Sequence, residues 1–289
     1  EQGAEWREAK RAAAQLPDEK MVFLRLSVAA VLVAVIIIAL IIAFGVQHDY
    51  ALYLQQWGIL LDGGDPWGRM WGELPIHPNA YGPLQVVIGY LAVIHDLAPK
   101  LLFGFCNAAI FWLTACAAHR AGWVLDLKTL MLLALAYAFF PLTFFSTYVF
   151  GINDSVVALC VLLALEARRR EWYEGSGLWL GLGALLKFYP LLFLPLLMLD
   201  RNGSLRLRGI AAGVGLFAVG MLVGYLVWGE SVLAPFSFGQ DREAKLLSIL
   251  NFMEYAASHV GAESAANWLV DRNASTVVLL AALFSLHCW

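Results

Sequence analysis

Residues 22–44 read VFLRLSVAAVLVAVIIIALIIAF, an apolar run whose single charged residue, Arg25, lies near its start. About 20 such residues in an α-helix cross the hydrocarbon core of a bilayer. The residues before the run are polar and carry the basic side chains Arg7, Lys10, Arg11 and Lys20. Because basic flanks stay in the cytoplasm, the run predicts a first span that leaves the cytoplasm and ends near Phe44.

The rest of the chain has the composition of a membrane protein. Of its 289 residues, 61% are hydrophobic and 14% are charged, and the mean hydropathy is +0.71. Soluble domains are nearer to about half apolar and about a quarter charged. We therefore predict an all-α, polytopic membrane protein, with a cytoplasmic segment at residues 1–21 and one transmembrane domain at residues 22–289. The net charge of −3 argues against nucleic acid as a partner.

The cysteines and the end of the chain add two expectations. The four cysteines lie in apolar segments without metal-like spacing, so we expect buried thiols at Cys106, Cys116, Cys160 and Cys288. The chain ends within the apolar run LLAALFSLHCW. We therefore expect that it lacks further C-terminal spans.

A polar, aromatic stretch follows the first span. Residues 46–83 read VQHDYALYLQQWGILLDGGDPWGRMWGELPIHPNAYGP. A loop of this length in a membrane protein is more often functional than a mere connection. Because it follows an outward span, we expect it on the outer face, with a short helix over residues 50–61 and a catalytic carboxylate at Asp49. Its tryptophans are typical of anchors at the membrane interface: Trp57, Trp67 and Trp71.

The number of crossings constrains the next spans. Apolar runs occupy about residues 83–97, 101–118, 130–150 and 156–167, and the last ends in three cytoplasmic arginines, Arg168 to Arg170. If the 46–83 stretch and Asn153-Asp154 both lie outside, an even number of crossings separates them. The run at 83–97 is the weakest. We therefore predict that it is a partial or tilted helix that does not cross the membrane.

Residues 177–199 predict a helical hairpin. Basic clusters flank the segment on both sides, so both of its ends should be cytoplasmic. Lys187 lies in its middle, where a lysine costs a few kcal/mol and faces a cavity or a partner. Pro190 breaks the helix beside it. We expect the hairpin tip at Lys187 to reach a polar cavity near the outer face, and residues 210–228 to cross outward to a second external region at 229–273.

Three polar elements are therefore expected to converge on the outer side: Asp49, Asn153-Asp154 and Lys187. Arg242 and Lys245 of the second external region would form a fourth. A carboxylate can take a proton from an attacking hydroxyl, while lysine and arginine neutralise the charge that grows on a phosphate leaving group. Apolar walls around such a site are typical of a site for a lipid-linked substrate.

Each assignment has an alternative that the residues leave open. Asp49 and Asp154 are both placed to cap a helix. Lys187 could extend to the membrane interface, and Arg242 with Lys245 could be ordinary surface charges. His48 and His77 could bind a divalent metal, but two histidines without motif spacing do not support one, so no cofactor is assigned and a divalent metal stays an open alternative.

The whole chain also has alternatives. Broken helices with a lysine at mid-membrane are typical of a transporter or lipid flippase as well. A third possibility is a non-catalytic membrane assembly subunit. The clustering of carboxylates on one side, in a long aromatic loop, favours an enzyme over a transporter.

At these residues the chain resembles a known family. The segments HDYALYLQQWGILLDGGDPW, AYGPLQ, GINDSVVALCVLLAL, LLKFYPLLFLPLLML and DREAKLLSIL occur in the same order as in the membrane-embedded GT-C mannosyltransferases that use polyprenyl-phosphate mannose. The resemblance covers about residues 24–250. It implies a GT-C-like helical bundle in the membrane, a polyprenyl-phosphate sugar donor, and a lipid- or glycan-linked acceptor.

The resemblance also implies roles for particular residues. An acidic residue in the first external loop is the proposed base of that family, and Asp49 matches it. The family's Tyr-x-Pro, Asn/Asp-Ser and Lys-x-Tyr-Pro elements match segments that begin at Tyr81, Asn153 and Lys187. Gln47-His48-Asp49 stands where some relatives carry Asp-x-Asp, so a metal bridged by two aspartates is not implied. We expect these residues to bind substrate: His48, Tyr50, Tyr81, Asn153, Asp154, Lys187, Tyr189, Arg242 and Lys245.

The predicted reaction follows from these roles. A hexose, mannose by resemblance, moves from the polyprenyl phosphate to an acceptor hydroxyl on the periplasmic or lumenal face. A single direct displacement needs only a base and a stabilised leaving group. We therefore expect the sugar to invert at its anomeric carbon.

Overall fold

The computed structural model describes residues 19–68, 70–71, 74–75, 79–123, 126–200 and 202–236. In this part of the chain the fold is helical, apart from one small antiparallel ribbon in which Met70 pairs with Pro75 and Trp71 with Leu74. The predicted all-α class is confirmed. Arg242, Lys245, His77, Cys288 and the predicted last span lie outside the described residues.

Ten α-helices and two strands make up the described part of the chain. The elements are α1 (Glu19–Phe44), α2 (His48–Leu61), β1 (Met70–Trp71), β2 (Leu74–Pro75), α3 (Pro83–Gly89), α4 (Ala98–Arg120), α5 (Leu127–Ala138), α6 (Pro141–Thr143), α7 (Asp154–Arg169), α8 (Tyr173–Ala184), α9 (Leu194–Leu197) and α10 (Leu207–Trp228). Short 3-10 turns cover Tyr90–Val93, Tyr189–Phe193 and Gly229–Leu233, and a π-helix covers Phe144–Val149.

Several helices are long and apolar enough to cross a membrane. In the described residues these are α1, α4, α10 with the turn after it, and the bent pair formed by α5 with the segment Pro141–Val149. This confirms a multi-pass membrane protein. The predicted helix boundaries agree closely, since the first span was expected at 22–44 and α1 covers Glu19–Phe44.

The segment predicted as one run over residues 130–150 is instead a broken helix. Its two halves meet at an angle of 49°. The break falls at Phe139 and Phe140, immediately before Pro141. Proline has no backbone N–H to continue the helix and disfavours helical geometry at the residue before it, which explains the bend.

The described residues divide into two compact units. One contains residues 19–50 and 97–159, and the other contains residues 51–96 and 160–236. Helix α2 begins in the first unit and α7 ends in the second.

The core of the first unit forms around α1. Leu26, Val33, Ile37 and Ile41 repeat at helical spacing, are buried, and pack with α4 and α5. Gly104 of α4 allows α4 and α1 to approach each other closely. A Cβ at this glycine would lie only 2.6 Å from Cγ2 of Ile37.

The second unit is held together by glycines on α8 and α10. A Cβ at Gly177 would lie 1.9 Å from the carbonyl oxygen of Gly209, and one at Gly181 would lie 2.4 Å from that of Gly213. Small residues let helix backbones approach closely in membranes. From the first pair to the second, the residue number rises by four on each helix, so α8 and α10 run in the same direction.

The chain between these two helices must therefore turn back. Helix α8 ends at Ala184, and the 3-10 turn and α9 return the chain to the start of α10, where the sulfur of Met198 packs against Gly209. Arg168 donates to the carbonyl oxygen of Leu199 at the same end. The predicted hairpin and its tip near Lys187 are thus confirmed in the second unit.

Candidate functional site

The ends of three helices meet in the first unit, around the side chain of Lys100. Its Nζ donates to the carbonyl oxygen of Gly45, which follows α1, and to that of Tyr148 in the π-helix, both at 2.7 Å. Lys100 itself lies in the first turn of α4. The chain that leaves this end at Gly45 therefore returns to the same end at Lys100.

This arrangement tests the prediction about the run at 83–97. An even number of crossings separates Gly45 from Lys100, so the segment between them does not cross as a single span. The helical part of that run, Pro83–Val93, is about 16 Å long, about half of the hydrocarbon core. The structure thus shows the short helix that was predicted, and its failure to cross the membrane stays a prediction.

The segment that carries Asp49 lies against the segment that leads to Asp154. The backbone N–H of Tyr50 donates to the carbonyl oxygen of Phe150 at 3.0 Å. The rings of His48 and Phe150 lie 5.2 Å apart, centroid to centroid. Two of the three polar elements predicted to converge are therefore brought together within the first unit.

Asp49 stands at the start of α2, one residue after a strained position. The helix begins at His48, so Asp49 lies in its first turn and not before it. His48 has a φ of 44°, in the left-handed region that non-glycine residues rarely adopt. The side chains of His48 and Asp49 are exposed, whereas Tyr50 is fully buried. A strained residue beside an exposed carboxylate is typical of functional sites.

Asn153 and Asp154 differ in burial. Asn153 is fully buried, and its carbonyl oxygen accepts from the backbone N–H of Val156. Asp154 begins α7, is exposed, and carries negative charge where the helix dipole stabilises it. The capping alternative for Asp154 therefore stays open beside a role in binding substrate.

A cavity of about 680 Å³ opens beside Asp154 in the first unit. Most of its wall is apolar and comes from α4, α5 and the segment after α5. Besides Tyr137, six polar residues line it: Asn107, Thr114, Thr143, Ser146, Asp154 and Ser155. An apolar cavity with a few polar groups is the usual form of a binding site for a small molecule or a lipid.

A buried polar network, which the sequence analysis missed, supports one wall of this cavity. Asn107 donates to Oγ1 of Thr147 at 2.8 Å, and the hydroxyl of Tyr137 donates to Oδ1 of Asn107 at 3.1 Å. Ser155 donates to the carbonyl oxygen of Phe103 at 2.9 Å. The asparagine in the apolar run 101–118 is the signal that could have indicated this network, because polar side chains in spans are commonly functional.

In the second unit, Lys187 lies over an aromatic pair. Its Nζ is 5.2 Å from the ring centroid of Tyr81, a cation–π contact. The hydroxyl of Tyr53 donates to that of Tyr81 at 2.7 Å. Lys187 is half-buried, and Tyr189 beside it is exposed. Lys187 and Tyr81 were both predicted site residues, and the second unit brings them together.

The backbone of the hairpin tip binds the segment of Tyr81. The N–H of Gly82 donates to the carbonyl oxygen of Leu186 at 3.1 Å, and that of Leu84 to Leu185 at 2.9 Å. A Cβ at Gly82 would lie 2.4 Å from the carbonyl oxygen of Leu185, so only glycine allows this approach. Leu185 also packs on Gly220, about 20 Å along α10 from its start at the α-helical rise. The tip thus lies well away from the hairpin's basic end.

Trp57 and Trp67 were expected to anchor the protein at the membrane interface, and this prediction is wrong. Trp57 and Trp67 are buried, 1% and 3% exposed. Their indole N–H groups donate to the carbonyl oxygens of Gln85 and Tyr81, at 3.0 and 2.9 Å. They tie α2 and the loop after it to α3, so their amphipathic rings satisfy backbone groups inside the protein instead of lipid headgroups.

The cysteines and metal ligands can be followed only in the described residues. Cys106 and Cys160 are buried, Cys116 is half-buried, and all three are free thiols. Within the same residues no three His, Cys, Asp or Glu side chains come together as a metal site would require.

Comparison with known proteins gives one match. The model of glycosyltransferase family 87 matches residues 80–289, which include Tyr81, Asp154 and Lys187 but not Asp49. No curated protein and no solved structure matches the chain. The match favours sugar transfer over the transporter and assembly-subunit alternatives. Because it spans well over half of the chain, this protein belongs to glycosyltransferase family 87 and is a GT-C-type membrane glycosyltransferase.

Proposed function

We propose that the protein is an inverting transferase that moves a hexose, mannose, from a polyprenyl phosphate to an acceptor hydroxyl on the outer face of the membrane. The observation that carries this proposal is the contact between the two acidic segments of the first unit. Tyr50, next to Asp49, donates its backbone N–H to Phe150, four residues before Asp154. The segment that carries Asp49 thereby lies against the segment that leads to Asp154, and Asp154 lines an apolar cavity.

Asp49 acts as the general base of the reaction. Its carboxylate accepts the proton of the acceptor hydroxyl, and the hydroxyl oxygen forms a bond to the anomeric carbon. The bond from that carbon to the phosphate oxygen breaks at the same time, and its electron pair leaves with the polyprenyl phosphate. Attack from the face opposite the leaving group inverts the anomeric configuration. A positioned general base contributes roughly 10²- to 10⁴-fold to such a rate.

Lys187 binds the phosphate of the donor. Its ammonium is half-buried above Tyr81 at the tip of the hairpin, where water screens its charge less than at an open surface. A fixed cation stabilises the charge that develops on a leaving phosphate. Tyr189 is exposed beside Lys187 and is proposed to contact the same donor phosphate. Arg242 and Lys245 are proposed as further phosphate ligands on sequence grounds alone.

A lipid-linked substrate accounts for the apolar cavity. Besides Asp154, the lining carries several hydroxyl groups and the amide of Asn107, and the rest of the wall is apolar. Asp154 and Asn153 would orient the hydroxyls of a bound sugar, and the apolar wall would hold its lipid. His48 and Tyr50 complete the polar side near Asp49.

Sugar transfer by the purified protein in liposomes tests this function. Radiolabelled polyprenyl-phosphate mannose would be supplied in one assay and nucleotide-linked mannose in a second, each with an extract of membrane lipids as acceptor. We expect product from the polyprenyl donor only, with an anomeric configuration opposite to that of the donor. Transfer from the nucleotide donor, or a product that retains the configuration, would contradict the proposal.

A matched pair of donors tests the choice of sugar. Polyprenyl-phosphate glucose differs from the mannose donor at one hydroxyl, so any difference in rate reports recognition of that position. We expect the mannose donor to be preferred. Equal rates would contradict the preference for mannose but not the use of a polyprenyl-phosphate donor.

A further inference from the structure

The first unit buries a lysine that the proposed reaction does not use. Lys100 is 0% exposed, although charged side chains are almost never fully buried without partners. Its Nζ satisfies two backbone carbonyls at 2.7 Å, one after α1 and one in the π-helix. A single ammonium therefore fixes the spacing of two chain segments that are far apart in sequence.

The location of this ammonium explains why a cation is needed. The carbonyl oxygens at the C-terminal end of a helix lack intrahelical partners and carry partial negative charge. Gly45 directly follows α1, and Tyr148 lies in the last turn of the π-helix, so Lys100 serves two helix ends together. A neutral apolar side chain of the same length would leave both carbonyls without this donor.

The segments held in this way are the ones that carry the acidic residues. Gly45 is followed by Gln47, His48 and Asp49, and Tyr148 is followed by Phe150 and the start of α7. Tyr50 closes the arrangement, because its hydroxyl accepts from the backbone N–H of Lys100 at 3.2 Å and its ring lies 5.4 Å from Nζ.

Gly151 shows how tightly this region is packed. A Cβ at Gly151 would lie 2.8 Å from Cβ of Tyr50 and 3.1 Å from Cε of Lys100, and its φ of 62° favours glycine in any case. The lysine stem and the tyrosine thus leave no space for a side chain at position 151.

We propose that Lys100 is a positioning residue for sugar transfer, which sets the location of Asp49 relative to the segment of Asp154. This inference rests on the proposed function, in which Asp49 is the base. Lys100 does not touch substrate in this account. It acts through the backbone at Gly45 and Tyr148, so its loss displaces the base and leaves the donor site at Lys187 unchanged.

Kinetics of Lys100→Met test the proposal, because methionine retains the length and the apolar character of the stem without the donors. We expect kcat to fall by about 10- to 100-fold, as a misplacement near 1 Å does, with the KM for polyprenyl-phosphate mannose within about two-fold of wild type. Lys128→Met removes an exposed lysine of the same unit and should leave both constants unchanged. Unchanged kcat in Lys100→Met, or a loss confined to KM, would overturn the proposal.

Hydrogen–deuterium exchange separates positioning from general destabilisation. We expect faster exchange in Lys100→Met at residues 45–50 and 148–153, with the amides of α8 and α10 at wild-type rates. Lost transfer with unchanged exchange at both segments would overturn the proposal. If the methionine variant does not fold, Lys100→Gln retains a neutral donor and should show the same pattern with a smaller loss of kcat. An unchanged pattern in that variant would count equally against the proposal.

The double variant of Lys100→Met with Asp49→Asn distinguishes a failure of the positioning role of Lys100 from a failure of Asp49 as the proposed base. Once the base is removed, Lys100→Met should reduce transfer no further, because there is no base left to position. A further loss of similar size would mean that Lys100 acts independently of Asp49 and would overturn the positioning role alone. Full activity in Asp49→Asn would overturn the proposed base, and with it this role.

Discussion

Lys187 and Lys100 show two uses of a buried lysine in one membrane protein. Lys187 is half-buried at the tip of a broken hairpin, over the ring of Tyr81. Lys100 is fully buried, with its Nζ bonded to Gly45 and Tyr148. The first is the proposed ligand of the donor phosphate, and the second donates its hydrogen bonds to the backbone.

Lys187→Met should reduce transfer strongly. Removal of one fixed group that stabilises developing charge costs about 10²- to 10³-fold in kcat, and we expect a loss near the lower end because Arg242 and Lys245 are proposed to share the role. Initial rates with polyprenyl-phosphate mannose measure it. Lys128→Met is the matched control, since it removes an exposed lysine. Rates of Lys187→Met within about two-fold of the control would show that Lys187 does not bind the phosphate.

The sequence pointed to one of these lysines and missed the other. Lys187 stands out because it interrupts a long apolar run and is followed by Pro190. Lys100 follows Pro99 at the edge of an apolar run, where a lysine normally flanks a span and reaches the interface. Its burial depends on contacts with Gly45 and Tyr148, about 50 residues away on either side, which periodicity does not encode.

At the scale of elements, glycines decide how the second unit packs. Gly177 and Gly181 of α8 face Gly209 and Gly213 of α10 at distances that exclude any side chain. The turn after α8 depends on this packing, because α10 supports the hairpin along its length. Lys187 therefore occupies its position through glycines that lie far from it in the fold.

Gly177→Ala should destabilise the protein. Its Cβ would meet the carbonyl oxygen of Gly209 at 1.9 Å, so the helices must separate, at a cost of about 1–3 kcal/mol. Thermal unfolding in detergent, followed by size-exclusion chromatography, measures the change. Gly215→Ala is the matched control, because its Cβ meets nothing within 4 Å and alanine favours the helix by about 1 kcal/mol. Equal melting temperatures for the two variants would contradict the close packing.

Patterns in the sequence predicted the elements better than their breaks. Apolar runs located α1, α4 and α10 to within a few residues, because length and hydrophobicity alone define a span. The run 130–150 was expected to be continuous, although Pro141 within it marks the observed bend. The 46–83 stretch was predicted as a loop with one short helix, and α2 confirms that helix with a start two residues earlier.

At the scale of the whole molecule, the helix ends that meet within each unit determine which segments share a side of the membrane. Gly45, Lys100 and Tyr148 meet at one end of the first unit, so the starts of α2 and α7 lie at that end too. The basic residues after α7 and before α10 lie together at the base of the hairpin in the second unit. The sidedness of these ends relative to the cytoplasm follows from the basic flanks and stays a prediction.

Cysteine labelling tests this orientation. In a variant without the four native cysteines, a cysteine at exposed Asp62 should react with a membrane-impermeant maleimide in intact cells. One at exposed Arg170 should react only after the membrane is permeabilised. The reverse pattern would place the predicted active face in the cytoplasm. Labelling of both positions in permeabilised cells verifies that each cysteine is reactive.

The glycosyltransferase class and the fold class could be predicted from the sequence, whereas the arrangement of the site could be predicted only in part. The order of short motifs indicated a GT-C glycosyltransferase, and the family match confirms the glycosyltransferase. The convergence of the segments of Asp49 and Asp154 was expected because both were assigned to the outer side. The network around Asn107 did not, because it joins three helices whose facing sides the sequence alone does not specify.

The most direct test of the account is sugar transfer by Asp49→Asn. The amide retains the size and shape of the carboxylate but does not accept the proton, so we expect transfer from polyprenyl-phosphate mannose to fall by roughly 10²- to 10⁴-fold. Asp62→Asn, which changes another exposed aspartate after the same helix, should retain wild-type rates. A rate for Asp49→Asn equal to that control, at equal protein level, would contradict the account and leave Asp154 as the base to test next.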